Sequence, residues 1–367
     1  MTGRAGHITV VIAGGGTGGH LYPGIAVAEA LQVERPDAEI TFVGTGRDVE
    51  RRVLAGRPYE YKVLRTPRLE RSLHPKNLLL PFRLVAAVLR ARRLLKKSKA
   101  NLVIGTGGYG SAPVVMAARL RRKPAVILEQ NIIPGVTNRI LSRFADVACL
   151  TFKPSESWLG GRIKTVVTGN PIRVPEGRPS EKEARDRLGL APDRFTVFVF
   201  GGSQGALTLT RAAQGSLSLL NNLDAQMIVQ TGGSAEVKAP PGWKDRLLVG
   251  EYFDNIYDCY AAADLVVCRA GGGVSEVLAF GRPMVLVPYP YAAHGHQERN
   301  AVYVEQEGAA VVVDDGDMDG TKLAALVNYY FHERDELDVM ARAARELGRP
   351  EAAKRAARVA LSLVKDE

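Results

Sequence analysis

The sequence predicts an α/β protein made of two successive halves, each a parallel sheet covered by helices on both faces. Three observations carry this. Short β-branched runs alternate with longer amphipathic stretches, glycine clusters follow directly on several of the runs, and the whole pattern starts again after a proline-rich, charged stretch near residue 170. The 367 residues are material for two hydrophobic cores, and a composition of 46% hydrophobic and 24% charged residues excludes a disordered or fibrous chain.

In order, Ile8 to Ile12 reads as a buried strand, followed by glycines and a helix near Pro23 to Val33, with Pro23 opening it. Strands are then expected at Ile40 to Val43, Leu102 to Ile104, Ala125 to Leu128 and Val147 to Leu150, with helices between. Pro171, Pro175, Gly177, Pro179 and the charged run to Arg187 read as a linker. The second series comprises Phe195 to Phe200, Met227 to Gln230, Arg246 to Val249, Leu265 to Val267, Met284 to Val287 and Ala310 to Val313, and residues 333–365 read as terminal helices. The domains expected are 1–168, 169–340 and a helical tail, 341–367, that crosses back to the first.

Charge separates the halves. Residues 1–168 hold 27 Lys and Arg against 11 Asp and Glu, and the remainder 22 against 28, about +16 and −6. Such asymmetry points to an anionic partner for the first half: a membrane surface, nucleic acid or a phosphorylated substrate. Residues 73–100 carry Lys76, Arg83, Arg90, Arg92, Arg93, Lys96, Lys97 and Lys99, no acid, and the run Leu78-Leu79-Leu80-Pro81-Phe82. A basic amphipathic stretch with exposed leucines suits an anionic bilayer, although a packed helix with a solvated face has the same pattern. Aromatic residues are sparse there, which argues against stacked nucleic acid. Three scattered cysteines suggest neither a disulfide framework nor a zinc site, but a reducing, cytoplasmic setting. No run is long enough to span a membrane.

Four glycine clusters fall at strand ends: Gly14 to Gly19, Gly105 to Gly110, Gly201 to Gly205 and Gly271 to Gly273. Ligands of open α/β sheets bind outside the carboxyl ends of the strands, so these clusters should border the ligands, with the site expected in a cleft between the two sheets. A glycine loop entering a helix offers amide N–H groups and the positive helix end to phosphate. A nicotinamide-binding reading is disfavoured because Gly44 stands where an acid should end the second strand, and a P-loop reading fails for want of Gly-Lys-Ser/Thr. His20, at the end of the first loop, suits general-base work, against a capping or buried histidine. Glu276, opening a helix, suits the two hydroxyls of a ribose, against simple dipole complementation. Ser203 and Gln204 lie where a diphosphate would rest, and Arg173 could reach a phosphate from the hinge or be a solvated linker arginine. The run Asp314 to Asp319 reads as a turn and N-cap in preference to a metal site.

Taken together, Gly14 to His20 with Pro23-Gly24, Gly107-Gly108-Tyr109, Glu129-Gln130-Asn131, Gly169 to Arg173, Gly201 to Ala206, Ser275-Glu276 and His296-Gln297 with Asn300-Ala301 resemble, in order, the motifs of the MurG family. Leu128 stands where that family usually has His, and the loop 269–276 is one residue shorter. The resemblance implies a GT-B fold, two Rossmann-like domains with parallel sheets facing across a cleft. It also implies an inverting transfer of N-acetylglucosamine from UDP-N-acetylglucosamine to the 4-hydroxyl of the N-acetylmuramoyl group of lipid I, giving lipid II for peptidoglycan. Carried over by position, His20 and Glu129 would be catalytic. Thr17, Gly18, Gly19, Asn131, Arg173, Gly202, Ser203, Gln204, Phe253, Glu276, His296 and Gln297 would bind the UDP-sugar, Phe253 through its backbone. Thr17, His20, Tyr109, Glu129, Gln130, Asn131 and Asn138 would line the acceptor side. Leu78, Leu79, Leu80, Phe82, Arg83 and Arg90 would touch the cytoplasmic face of the cell membrane. The resemblance implies no cofactor, no fixed metal and no nucleic acid, with cell-wall synthesis proteins as further partners. Competing expectations are transfer to another lipid acceptor, a UDP-N-acetylglucosamine 2-epimerase on the same fold, and a non-catalytic basic membrane-binding protein.

Overall fold

A computed structural model describes residues 7–66, 79–175, 177–202, 205–292 and 295–364. It divides into two compact units, Met1–Arg173 with Glu351–Glu367, and Val174–Pro350.

The first unit runs β1 (Thr9–Ala13), α1 (Gly18–Glu34), β2 (Glu39–Gly44), α2 (Asp48–Leu54), β3 (Glu60–Val63), α3 (Leu80–Lys97), β4 (Leu102–Gly105), α4 (Ala112–Leu120), β5 (Ala125–Glu129), α5 (Val136–Leu141), β6 (Val147–Leu150) and β7 (Lys164–Val167). Its seven strands lie in the order β3-β2-β1-β4-β5-β6-β7, with parallel pairing throughout. The central strands are apolar on both faces because helices cover both. Ile8, Val10, Ile12, Leu102, Ile104, Val126 and Leu128 belong to one core, and Val11, Ala13, Val103, Ala125 and Ile127 to another. Leu128, at the position of the family's usual His, is thus a core residue only 1% exposed.

Two expectations need correcting here. The edge strands β3, Glu60-Tyr-Lys-Val63, and β7, Lys164-Thr-Val-Val167, were not expected from the sequence. Both are half polar because one side of an edge strand meets solvent, so neither makes an apolar run. Pro23 lies inside α1 and does not open it: the helix begins at Gly18, and the N–H groups of His20 and Leu21 both bond to Thr17 O. Proline's missing N–H withdraws one bond just after the first turn, close to where helix donors are unpaired anyway.

The second unit runs α6 (Glu181–Arg187), β8 (Phe195–Phe200), α7 (Leu207–Ser216), β9 (Ala225–Gln230), β10 (Leu247–Gly250), α8 (Ile256–Ala262), β11 (Leu265–Cys268), α9 (Gly273–Ala279), β12 (Met284–Leu286), α10 (His296–Gln306), β13 (Ala310–Val312), α11 (Gly320–His332) and α12 (Arg334–Leu347). Its parallel sheet has the order β10-β9-β8-β11-β12-β13. Alternate side chains of β8 divide between two cores: Phe195, Val197 and Val199 pack with Met227, Val229 and Leu265, whereas Phe198 and Phe200 pack with Ile228, Tyr260 and Val266. In the Asp314 to Asp319 run, Asp319 caps α11 by accepting from Lys322 N at 2.7 Å, and Asp317 N bonds back to Asp314 O, which makes the expected turn and N-cap. The final helix, α13 (Ala352–Leu361), packs on α1 in the first unit, where Ala353, Ala356, Ala357 and Ala360 join the core of Ile25 and Leu31.

Candidate active site

In the first unit the candidate residues gather at the carboxyl ends of β1, β4 and β5. The loops after β1 and β4 interlock: Thr106 N donates to Ala13 O at 2.8 Å, and a Cβ on Gly14 would sit 1.8 Å from Thr106 Oγ1. The His20 imidazole rests against the second loop. A Cβ on Gly107 would lie 2.7 Å from His20 Cδ2, and one on Gly108 3.3 Å from its Nδ1, so the glycines make the seat for the ring. Both also have φ values, +100° and +71°, that disfavour any side chain. His20 Nδ1 is 3.2 Å from Thr17 Oγ1. When Nδ1 carries the ring proton it donates to Thr17, and the Nε2 lone pair is the basic one. Tyr109 comes within 3.8 Å of the Cβ position of Gly16, and Gln130 reaches back to donate to Thr106 O at 3.0 Å. Thr17 and Gly19 are exposed, and Gly18 is half-buried.

Glu129 and Asn138 have a different setting. Glu129, 3% exposed at the end of β5, accepts from Asn131 N (3.0 Å), Asn131 Nδ2 (3.3 Å), Gly135 N (3.2 Å) and Asn138 Nδ2 (2.8 Å). Asn138, also 3% exposed, shares that amide nitrogen with Leu128 O at 2.8 Å. Together they hold the 131–138 loop from beneath. Burial pushes the Glu129 carboxyl above its ordinary range against the opposing pull of those bonds.

A residue the sequence reading did not single out lies behind the β1 loop. Glu50, on α2 and 1% exposed, accepts six hydrogen bonds: at Oε1 from Gly16 N (2.7 Å) and Thr45 Oγ1 (2.8 Å), and at Oε2 from Thr45 N (2.9 Å), Gly46 N (2.8 Å), Arg47 N (3.1 Å) and Tyr61 Oη (2.7 Å). Arg47 Nη1 closes the other side by donating to Gly16 O at 2.7 Å. Burial raises the carboxyl, but the bonds from Tyr61, Thr45 and the loop amides outweigh it and hold it below the ordinary range. The expectation that the first glycine loop offers its amides to phosphate is therefore corrected at Gly16, whose N–H serves the protein's own carboxylate. Asp-Val-Glu50 reads in sequence only as the acidic first turn of a helix.

Arg173, the last residue of the first unit's main segment, donates from Nε to Glu29 Oε2 at 2.8 Å with its side chain 49% exposed, and Arg57 takes the other Glu29 oxygen.

In the second unit the corresponding residues stand beyond the carboxyl ends of β8, β10, β11 and β12. Ser203 and Gln204 lie outside the described residues. Around them, a Cβ on Gly201 would meet Ala206 N at 2.2 Å and one on Gly205 would meet Thr231 O at 2.3 Å, whereas one on Gly202, at φ +84°, would meet no atom of the described residues within 4 Å. Phe253 N donates to Gln230 Oε1 at 3.2 Å, so its amide is committed within the protein, and its ring packs edge-on to Phe198. Glu276, in the first turn of α9, accepts from Tyr260 Oη at 2.8 Å. Burial pushes the Glu276 carboxyl up despite this bond. His296 and Gln297 open α10 behind Gly295 at φ +63°, and Gln297 Oε1 fixes the preceding loop by accepting from Tyr289 N at 2.9 Å.

On α3, Ala87, Val88, Ala91 and Leu95 are buried. Leu79 just before the helix and Phe82, Val85 and Leu89 within it are exposed, Phe82 by 74%, alongside exposed Arg83, Arg90, Arg92, Arg93, Lys96 and Lys97, whereas Leu80 is half-buried. Leu78 lies outside the described residues. Among the described residues no helix is long and apolar enough to cross a membrane.

The glycosyltransferase family 28 N-terminal domain matches residues 10–149, and the family 28 C-terminal domain matches residues 196–356. Relatives named UDP-N-acetylglucosamine--N-acetylmuramyl-(pentapeptide) pyrophosphoryl-undecaprenol N-acetylglucosamine transferase include one from Salinibacter ruber, 40% identical over 99% of this chain and 98% of its own. Another, from Desulfitobacterium hafniense strain Y51, is 38% identical over 96% and 98%. The crystal structure of Acinetobacter baumannii MurG covers 97% of this chain and 99% of its own at TM-score 0.76 and 27% identity. This chain belongs to the MurG family. Its two Rossmann-like units, with parallel sheets of seven and six strands, are those of the GT-B glycosyltransferases to which MurG belongs. Within the MurG family framework, β1 and β8 are equivalent strands, each the point where strand order reverses and each followed by a glycine loop.

Proposed function

We propose that this chain transfers N-acetylglucosamine from UDP-N-acetylglucosamine to the 4-hydroxyl of the N-acetylmuramoyl group of lipid I, with inversion, giving lipid II for peptidoglycan. The observation that carries the reading is the relationship over nearly the whole chain to enzymes named for this transfer.

In one displacement the acceptor oxygen bonds to the anomeric carbon as the bond from that carbon to the UDP oxygen breaks. His20 takes the hydroxyl proton. The negative charge that builds on the departing diphosphate falls to Arg173 and the turn at Gly202 with Ser203 and Gln204. Glu276 accepts from the ribose hydroxyls, Phe253 meets the uracil through its backbone carbonyl, and His296 and Gln297 hold the sugar. Tyr109, Gln130, Asn131 and Thr17 line the acceptor side around His20. Glu129 and Asn138 serve this half by holding the 131–138 loop, in keeping with their burial.

The exposed apolar edge of α3 among its cations seats the protein on the cytoplasmic face of the cell membrane, where a lipid-linked acceptor lies. Replacing Phe82 and Val85 by Ser is expected to weaken co-sedimentation with anionic vesicles while UDP affinity stays the same. Vesicle binding unchanged by both replacements rejects this surface.

The deciding assay uses radiolabelled UDP-N-acetylglucosamine with a short-chain lipid I analogue, with and without a chelator. Label in the lipid, equal to the UDP released, is the expected result. Epimerised UDP-sugar formed without any acceptor would overturn the reading in favour of an epimerase.

A further inference from the structure

A turn of main-chain amides at a strand end is an anion seat. In the β1 loop that seat is already taken by Glu50, whose six partners at 2.7–3.1 Å are all donors. The fit is mutual: a Cβ on Gly15, at φ +129°, would lie 2.2 Å from Glu50 Oε1. From Gly16 the chain passes directly to Thr17, whose hydroxyl meets His20 Nδ1, while Gly107 and Gly108 support the ring from the other side. Arg47 holds the carbonyl of the same Gly16. Gly16 is thus gripped at both its N–H and its C=O, in the two successive peptide groups that flank its Cα, one residue before the group that touches the imidazole.

We propose that Glu50 is a positioning residue for the transfer: as an internal anion beneath the β1 loop it fixes the Gly16–Thr17 segment and, through Thr17, the orientation of His20. This rests on His20 being the base. A carboxylate is required because every partner donates. A glutamine of the same shape would turn N–H groups toward N–H and O–H donors and leave some of them unsatisfied in a buried place. Gly16 N–H, being occupied, is not a ligand for the acceptor's diphosphate.

The test uses the full chain and measures kcat and KM for UDP-N-acetylglucosamine and a lipid I analogue in the wild type, Glu50→Gln, His20→Ala and the double variant. Glu50→Gln is expected to lower kcat by about 10- to 100-fold, the scale of a misplaced catalytic group, with KM for UDP-N-acetylglucosamine unchanged. In the His20→Ala background the same change should cost almost nothing further, because the group it orients is gone. Wild-type kcat in Glu50→Gln, or a loss of full size in both backgrounds, overturns the proposal. Wild-type turnover in His20→Ala instead removes the base reading, and this proposal with it. If Glu50→Gln does not fold, Tyr61→Phe and Thr45→Val each withdraw one donor and leave the carboxylate. Each should lower kcat roughly 2- to 10-fold, the worth of one hydrogen bond, only while His20 is present, and an unchanged kcat in both overturns the proposal equally.

Discussion

The loops after β1 and β8 occupy equivalent places in the two sheets, yet they are built on opposite plans. In the first, a buried carboxylate fills the amide turn at Gly16 and the chain beyond it is fixed before any substrate arrives. In the second, Gly201 and Gly205 are closed in by backbone atoms, but no atom of the described residues lies within 4 Å of a Cβ at Gly202. Sequence similarity between glycine loops therefore does not establish similar work. One loop carries its own anion at Gly16, and under the proposed function it serves to hold a base while the other receives the donor's diphosphate.

The comparison is broken most sharply at His20. His20→Ala should lose about 10²- to 10⁴-fold in turnover, the usual scale for a general base, with UDP affinity by calorimetry unchanged. Loss of UDP affinity in that variant would mean that the two loops do not divide the labour as described. Next are the glycines. Gly15→Ala combines a positive φ with a clash against Glu50, and should cost about 2–5 kcal/mol in a denaturant melt of the first unit. Gly202→Ala meets the strain of a positive φ and no atom of the described residues within 4 Å, about 1–2 kcal/mol, and its larger signature should be weaker UDP binding. Equal destabilisation by both would erase the contrast between the two turns.

The smallest effect is in pH. Glu50 is held below the ordinary carboxyl range and Glu276 above it. Glu50 therefore adds stability that is present above the unfolded-state pKa and lost as pH falls through its lowered folded-state value. Glu276 is the reverse: its raised value means the folded protein holds that proton more tightly, a contribution lost as pH rises through it. Ribose recognition needs the ionised form, so UDP affinity should increase as pH climbs through the raised Glu276 value, and Glu276→Gln should flatten that dependence. A pH-independent UDP affinity in the wild type would contradict this assignment of Glu276.

The alternation of strands and helices was legible because buried parallel strands must be apolar on both faces, which leaves runs such as Phe195 to Phe200 unmistakable. The half-polar edges at Glu60 to Val63 and Lys164 to Val167 leave no such trace. His20 and Tyr109 were visible as residues next to strand-end glycines, and Gln130 through the Glu129-Gln130-Asn131 motif of the family resemblance. Glu50 was not, since its meaning depends on six donors drawn from Gly16, the 45–47 turn and Tyr61, and no local spacing encodes that convergence. The roles of Glu129 and Asn138 were equally hidden: burial, invisible in the sequence, makes them supports of the 131–138 loop.

The packing of α13 against α1 has a consequence for synthesis of the protein. A nascent chain that has emerged as far as Arg173 still lacks Ala353, Ala356, Ala357 and Ala360, which complete the apolar contacts around Ile25 and Leu31. The second unit is continuous from Val174 to Pro350, while the earlier-made unit waits with an uncovered helix face for its closing piece.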